Sequence, residues 1–334
     1  MISRKTFAAG GAALASVAII PHPLRAAEFT WKCGNDLTAD HPISVRAVEA
    51  FGKIRRDTGG AVDIRLFPTS VLGSDPQMLT QLRSGALEML QYAGGILDTV
   101  VPLASIENVA FAYPSRDAAF AAMDGNLGTL VRRAINDKGI AVLEKVWENG
   151  WREFTTSNRP IRTVDDMAGL KIRVSPGKLR VDTFHTLGVQ VTPIPPNEVY
   201  TALQTHIVDG QETALLFIET ARYYEVQKYC SLTNHMWSGY WTLFNMDKWN
   251  SLSAAQRAIV AKHVNAAALL QRRDSEILNR SVQEKLTRQG LTINKTDPAS
   301  FKAKLIAGGY YARWKAEYGD AAWSALEQYT GKLG

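Results

Sequence analysis

The sequence predicts an α/β protein: two successive units with a mostly parallel sheet, followed by a helical C-terminal part. Three observations lead there. Strand-like and helix-like segments alternate from residue 28 to residue 95, the order that builds parallel sheets. The alternation restarts near residue 140, and from residue 253 only helical patterning is left. A length of 334 residues also suggests two domains rather than one.

In order along the chain, "EFTWKCGN" (28–35) reads as a strand. In "HPISVRAVEAFGKIRRDTGG", Val45, Val48, Phe51 and Ile54 recur at helical spacing, and the helix stops at a glycine pair. "AVDIRLFP" alternates as a strand does and ends at Pro68. "SDPQMLTQLRSGALEML" is a helix expected to be capped by Asp75 with Pro76 at its first position. "LEMLQYAGG" is a third strand, and "GIAVLEKVW" opens the second unit as another. "TVDDMAGL" is a capped turn into the strand "KIRV", and "PGKLRVDTFHTLG" is a helix ending at Gly188. "VQVTPIP" is a strand closed by prolines. "PNEVYTALQTHIVDG" is a helix with Asn197 as expected cap and Val199, Leu203 and Ile207 on one face. "SAAQ" at 253–256 is a capping box, and no proline or glycine follows before Gly290. One helix of that length bridges two domains or kinks in between.

The N-terminus reads as an export signal. "MISRKTF" is basic, "AAGGAALASVAII" is apolar, and "PHPLRAAEF" brings breakers and small residues, so cleavage is expected near Ala26 or Ala27. The apolar run is short for a membrane span. "SRKTF" resembles a twin-arginine signal with Lys5 in the second position; a general-secretion signal is the other reading. Cys33 follows "TWK", which is no lipid-attachment pattern. The mature chain is therefore expected in the periplasm. The formal charge of +6 loses Arg4, Lys5 and Arg25 with the signal and no acidic residue, leaving +3. That balance, without a basic stripe, argues against nucleic acid as partner. Cys33 and Cys230 lie far apart in apolar runs and are expected as two buried thiols, although an oxidising compartment permits a bridge.

Catalytic patterns are missing: no G-x-S-x-G, H-E-x-x-H, C-x-x-C, G-x-G-x-x-G or phosphate-binding loop occurs. His41, His185, His206, His235 and His263 have no metal-ligand spacing and read as helix-surface or loop residues. Asp165 and Asp166 are adjacent and point apart, as in a capped turn. No catalytic residue, cofactor or metal site is expected. Arg173 is the anomaly, a permanent charge inside the apolar run "KIRV". Burying it without a partner is costly. Near the carboxyl end of a parallel strand, its fork either grips a ligand carboxylate or pairs with Glu198 or Glu212. Arg152, in "NGWREFTTSN", carries the same two readings.

The segments "NGWREFTTSNRPIRTVDDMAGLKIRV", "TPIPPNEVYTALQTHIVDGQET", "YYEVQKYCSLTNHMW" and "FPTSVLGSDPQMLTQLRSGALEM" closely resemble the periplasmic solute-binding subunits of TRAP transporters, the DctP family. The resemblance spans the mature chain in order. It implies a two-domain periplasmic binding protein fold, with a ligand cleft, hinge strands and a long domain-spanning helix. It divides the chain into a signal (1–27), domain I (28–149 plus 239–278) and domain II (150–238 plus 279–334). It implies a non-enzyme and a monomer, with a small organic acid as ligand and the membrane permease subunits as partners. The family's carboxylate-binding arginine falls on Arg173 and its supporting arginine on Arg152. Glu212 and Thr213 fall in the "GQET" segment beside them. Asn35, Gln91 and Tyr92 fall on first-domain strand ends, where each either meets ligand or caps a neighbouring helix.

Departures from the resemblance concern the ligand. Sialic-acid binders read "GQEN" where Thr213 stands, carry phenylalanine at the position of Pro196, and often have a small residue at that of Trp151. Trp151 and Trp237 stand at the cleft border or in the core. On the cleft reading, the expected ligand is a hydroxy- or oxo-monocarboxylate with an apolar or aromatic body, with a sugar acid as the alternative. A sensory binding protein and a periplasmic enzyme acting on an acid are the alternative functions.

Overall fold

The computed structural model describes residues 27–334. The expected signal and most of its cleavage region lie outside the described residues. Ten strands form one sheet: β1 (Phe29–Gly34), β2 (Val62–Phe67), β3 (Met89–Ala93), β4 (Ile140–Val142), β5 (Trp147–Thr156), β6 (Lys171–Val174), β7 (Gln190–Pro193), β8 (Gly210–Ala214), β9 (Tyr229–Asn245) and β10 (Thr292–Lys295). The helices before β5 are α1 (Pro42–Asp57), α2 (Asp75–Ser84), α3 (Gly94–Leu97), α4 (Arg116–Asp124) and α5 (Asn126–Asn136). Between β6 and β9 lie α6 (Lys178–Leu187), α7 (Pro196–Gln204) and α8 (Leu215–Thr220). After β9 come α9 (Met246–Ser251), α10 (Ala254–Arg288), α11 (Pro298–Ala307), α12 (Tyr310–Tyr318) and α13 (Asp320–Thr330).

The sheet is continuous, in the order β2-β1-β3-β9-β5-β8-β6-β7, with β4 and β10 also on β9. Its two ends are parallel, as the βα alternation predicts. Its middle is antiparallel, because the 17-residue β9 pairs with β3 and with β5, and β5 with β8. The expectation of a mostly parallel sheet therefore holds only for the flanks. β5 and β9 run through the junction with two register shifts, between Glu148 and Gly150 and between Arg152 and Phe154. The segment "GIAVLEKVW" is not one strand but β4 and the start of β5.

α10 is a single 35-residue helix, opened by the Ser253–Gln256 capping box. It packs along α1, against β5 and against α8, so it touches both ends of the sheet. Arg46 of α1 forks onto Asp274 of α10 with Nε–Oδ2 2.5 Å and Nη2–Oδ1 2.9 Å. The inner face of α1 carries Ile43, Ser44, Ala47, Phe51 and Ile54, while Val45 and Val48 are exposed. The helical period holds with its phase shifted, and Ser44 lies inward where its hydroxyl accepts from Asn35 Nδ2 at 3.2 Å. α11 and α12 pack on α6, and α13 packs on α4 and α5.

Other local expectations need correction. α2 is capped by Ser74 and Gln77 in a capping box, not by Asp75. α7 starts after Pro195 without a side-chain cap, so Asn197 is not its cap. α7 ends at Gln204, which leaves Ile207 exposed. His41 and His235 are buried rather than superficial: His41 caps α1, and His235 stacks on Phe154 at 4.6 Å. Cys33 and Cys230 are separate buried free thiols.

Candidate functional site

The sequence places Arg173 on β6 with a single partner, the Ile194 carbonyl, which accepts from Nε at 2.7 Å. The side chain is buried and Nη2 has no hydrogen-bond partner among the described residues. Neither expected structural partner reaches it. Glu198 is exposed on α7, and Glu212 turns to Arg152 instead. Burial pulls the Arg173 guanidinium below its ordinary pKa. A buried guanidinium without a counter-ion is the feature that needs a chemical reason.

Arg152 is the opposite case. Its Nε donates to Glu212 Oε2, and Nη2 donates to Glu212 Oε1 and to the Glu212 carbonyl, both at 2.8 Å. His235 Nε2 lies 3.2 Å from the same carboxylate, and His235 Nδ1 lies 2.7 Å from Thr233 Oγ1. Burial opposes ionisation of Glu212. The Arg152 charge and the hydrogen bonds from His235 and Arg152 outweigh it and hold the carboxyl well below its usual range. Arg152, Glu212 and His235 are thus an internally satisfied unit beneath the site. Thr213, next on β8, is buried, but successive side chains of a strand leave on opposite faces. It makes no side-chain hydrogen bond among the described residues.

The strand ends on the β1–β3 side supply a polar wall. Asn35 donates Nδ2 to Ser44 Oγ at 3.2 Å and to Gln91 Oε1 at 3.1 Å, and its Oδ1 accepts from the Leu37 amide at 3.3 Å. Both its amide hydrogens are committed to the fold, so it holds Gln91 rather than reaching outward. Gln91 Nε2 and the Tyr92 hydroxyl are buried without partners. Burial, then the nearby carboxyls of Asp75, Asp36 and Asp98, push the Tyr92 phenol well up, so it is a neutral donor. Tyr240 donates to Asp36 Oδ1 at 2.8 Å. Asp36 opens onto a cavity of about 440 Å³ that also borders Thr38, Pro196, Tyr200, Phe217 and Tyr223. The cavity lies between elements from the two ends of the sheet, and none of Arg173, Arg152, Gln91 and Tyr92 lines it. Thr69 and Arg222 on its rim have positive φ, 57° and 58°, a conformation uncommon outside glycine and concentrated at functional sites.

The tryptophans stand elsewhere. Trp237 is fully buried, edge-on to Phe120 at 5.3 Å and to Tyr113 at 6.3 Å. It is a core residue. Trp151, its cross-strand partner, is half-buried between two outer grooves of about 430 and 270 Å³. Neither groove is lined by Arg152 or Arg173.

Two charged residues escaped the sequence reading. Asp75, freed from capping by Ser74, is buried with both carboxylate oxygens unpartnered. Arg180 on α6 is buried with Nε and Nη1 unpartnered. A signal existed for each. S-x-x-Q at 74–77 already completes a capping box without Asp75. Arg180 sits in the first turn of its helix, where the macrodipole disfavours a cation.

The family "Bacterial extracellular solute-binding protein, family 7" (DctP) matches residues 34–308. The chain is similar to the 2,3-diketo-L-gulonate-binding periplasmic protein YiaO of Escherichia coli, 33% identical over 62% of this chain and 63% of that one, just under two thirds of the relative's length. It is similar to a solute-binding protein of Chromohalobacter salexigens, 31% identical over 83% of this chain and 82% of the relative. Its fold is similar to the crystal structure of a TRAP periplasmic solute-binding protein from Polaromonas bound to D-erythronate, with TM-score 0.86 and 27% identity over 92% of this chain and 99% of that one.

Proposed function

The chain belongs to the DctP family of TRAP-transporter solute-binding proteins, and from that premise we propose that it captures a small organic acid by its carboxylate on Arg173. One observation carries the proposal: Arg173 is buried and has no carboxylate partner among the described residues. A ligand carboxylate offers the fork two parallel, charge-assisted bonds. Closing the two sides of the cleft over the pair removes water and strengthens it. Arg152, held by Glu212 and His235, supports the positive field from below. Gln91 and Tyr92 offer donors to the rest of the ligand, Asn35 orients Gln91, and Thr213 lies on β8, the strand that pairs with the arginine strand. Members of this family are transport binding proteins, not enzymes. Delivery to a membrane permease from the periplasm, as a monomer, is the corresponding role for this chain.

The lobes that close are proposed as residues 28–149 plus 239–278 and 150–238 plus 279–334, with α13 reaching back onto α4 and α5. The core position of Trp237 and the outer position of Trp151 remove the ground for an apolar or aromatic ligand body. The ligand is a small acid with polar substituents.

Arg173→Ala tests the clamp. Titration calorimetry against a panel of small acids and their neutral amides is expected to give a micromolar hit for an acid, about −8 kcal/mol, with none for its amide. The variant, folded by circular dichroism, loses that binding. Near-normal affinity in the variant would sink the assignment.

A further inference from the structure

Glu153 leaves β5 on the face opposite to Arg152. Across β5 and β8, Arg152 and Phe154 stand opposite Ala214 and Glu212, while Glu153 stands opposite Thr213, and successive side chains of a strand alternate in direction. On the Glu153 side, β5, β9, the start of α8 and the second half of α10 border a cavity of about 270 Å³. Gly150, at φ 111°, lies on its wall and adds no side chain to fill it.

Glu153 is 2% exposed and lines this cavity. Its Oε2 accepts from the Asn234 amide at 2.8 Å and from Thr233 Oγ1 at 3.5 Å. No lysine, arginine or histidine forms an ion pair with it among the described residues, and burial pushes its carboxyl up to about 8 against the pull of those hydrogen bonds. The two arginines on the same walls are committed elsewhere. Arg116 forks onto Glu148 with both bonds at 2.7 Å, and Arg280 donates to Glu276 at 2.7 Å. Three carboxyls against two guanidiniums leave one negative charge, and the unpaired group is Glu153. Asn149 lines the same cavity, is also 2% exposed, and its side-chain oxygen lacks a donor among the described residues. Two buried acceptor groups thus share one space with no cation to satisfy them.

The group this cavity lacks is positive and donates hydrogens. No three metal-ligating side chains cluster among the described residues, so an organic cation is the better match. Trp151 borders the cavity with an aromatic surface, to which a cation is attracted. Ala214, Leu215 and Leu232 offer apolar contact to a short stem. We propose that the cavity is a binding site for a small primary alkylammonium, with its N–H groups on Glu153 and Asn149 and its stem along Trp151. The site stands apart from the acid clamp and does not depend on it. Around Glu153, Arg116, Glu148, Glu276 and Arg280 are paired with one another, burial pushes the Cys230 thiol further up, and burial pulls His235, which shares Thr233 Oγ1 with Glu153, down. Glu153 is therefore the group that releases its proton to pair with the ammonium near neutral pH.

The test is titration calorimetry of the mature protein with n-butylamine hydrochloride, beside n-butanol and tetramethylammonium chloride, in phosphate and in Tris. The amine keeps its proton up to about pH 10 and Glu153 must lose its own, so affinity is expected to rise about tenfold from about pH 6 to about pH 7 and to level off above about pH 8. At about pH 7 the heat is expected to differ between the two buffers, because each takes up the released proton with its own enthalpy. Butanol, which has no charge, and tetramethylammonium, which has no N–H, are expected to bind about tenfold more weakly or less. Glu153→Gln is expected to weaken the amine about 10- to 100-fold and to abolish the pH dependence, and Asn149→Ala to weaken it about 3- to 10-fold. Absence of amine binding, equal affinity for either control compound, affinity independent of pH in wild type, or wild-type affinity in Glu153→Gln overturns the inference. Should circular dichroism show that Glu153→Gln does not fold, the pH dependence and the buffer-dependent heat of wild type decide alone.

Discussion

Replacing Glu212 by alanine should be among the most damaging single changes in this protein, and the structure gives the size. The Arg152 side chain is 3% exposed and that of Glu212 0%. Three nitrogens point at the Glu212 carboxylate: Arg152 Nε, Arg152 Nη2 at 2.8 Å and His235 Nε2 at 3.2 Å. Removing it leaves a buried guanidinium without an anion, which costs about 3–5 kcal/mol. Total stability of a domain is about 5–15 kcal/mol. With a urea m-value of about 3 kcal/mol/M, the midpoint falls by about 1–1.7 M. Far-UV circular dichroism through a urea series reads this directly. Removing both charges in Arg152→Met/Glu212→Leu should recover most of the loss, because an apolar pair of similar volume leaves nothing uncompensated. A midpoint shift below about 0.3 M for Glu212→Ala would refute the reasoning, since it would mean that water or another carboxylate takes over the pair.

Gly95→Ala should drive a methyl into Asn108 and Arg180, at 2.1 and 2.7 Å. Overpacking of this kind costs about 1–3 kcal/mol, seen as a lower melting temperature, and acid binding should fall with it. Asp98 has its carboxyl pushed up to about 6, mainly by burial and against the pull of the Leu179 amide and Arg180. Its unfolded form releases the proton near 3.8, so the native state holds the extra proton between about pH 4 and 6. The contribution of that group is therefore present below pH 4, lost as pH rises through 6, and constant above. Urea titrations of wild type and Asp98→Asn should show wild type losing up to about 3 kcal/mol relative to the variant across that window; a difference independent of pH contradicts the assignment.

Much of this was legible because it is local. Alternation, a proline after a strand and a capping box are read within a dozen residues, and they located β1, β2, β3, β6, α6 and the start of α10. What the sequence hid depends on distant packing. α1 seats Ser44 and Ala47 inward and leaves Val45 and Val48 outside, with the Ser44 hydroxyl bonded to Asn35 just after β1. Hydrophobicity alone puts the larger residues inside. β9 joins four other strands, and no short stretch of it announces so many partners. The arginine on β6 stood out as a charge in an apolar run. Whether Glu212 would satisfy Arg173 or Arg152 was a matter of register between β5 and β8, which places Phe154 opposite Glu212.

Three of the buried arginines, Arg152, Arg173 and Arg180, differ in the permanence of their partners. Arg152 owns an anion in its own chain, so its cost is met before any ligand arrives. Arg173 has a carbonyl and Arg180 an amide oxygen, acceptors without net charge. The nearby carboxyls give little help, because burial pushes both Asp36 and Asp75 upward and favours their neutral forms. Desolvating two guanidiniums against such partners is unfavourable, so closure of the cleft alone is opposed. An entering carboxylate reverses the sign, because it is worth more to the desolvated arginines than to solvated ones. A ligand shifts a conformational equilibrium only by its differential affinity for the two states. On the proposed clamp the difference lies in the charge itself: an acid and its amide fill the same space, and only the acid would make closure favourable.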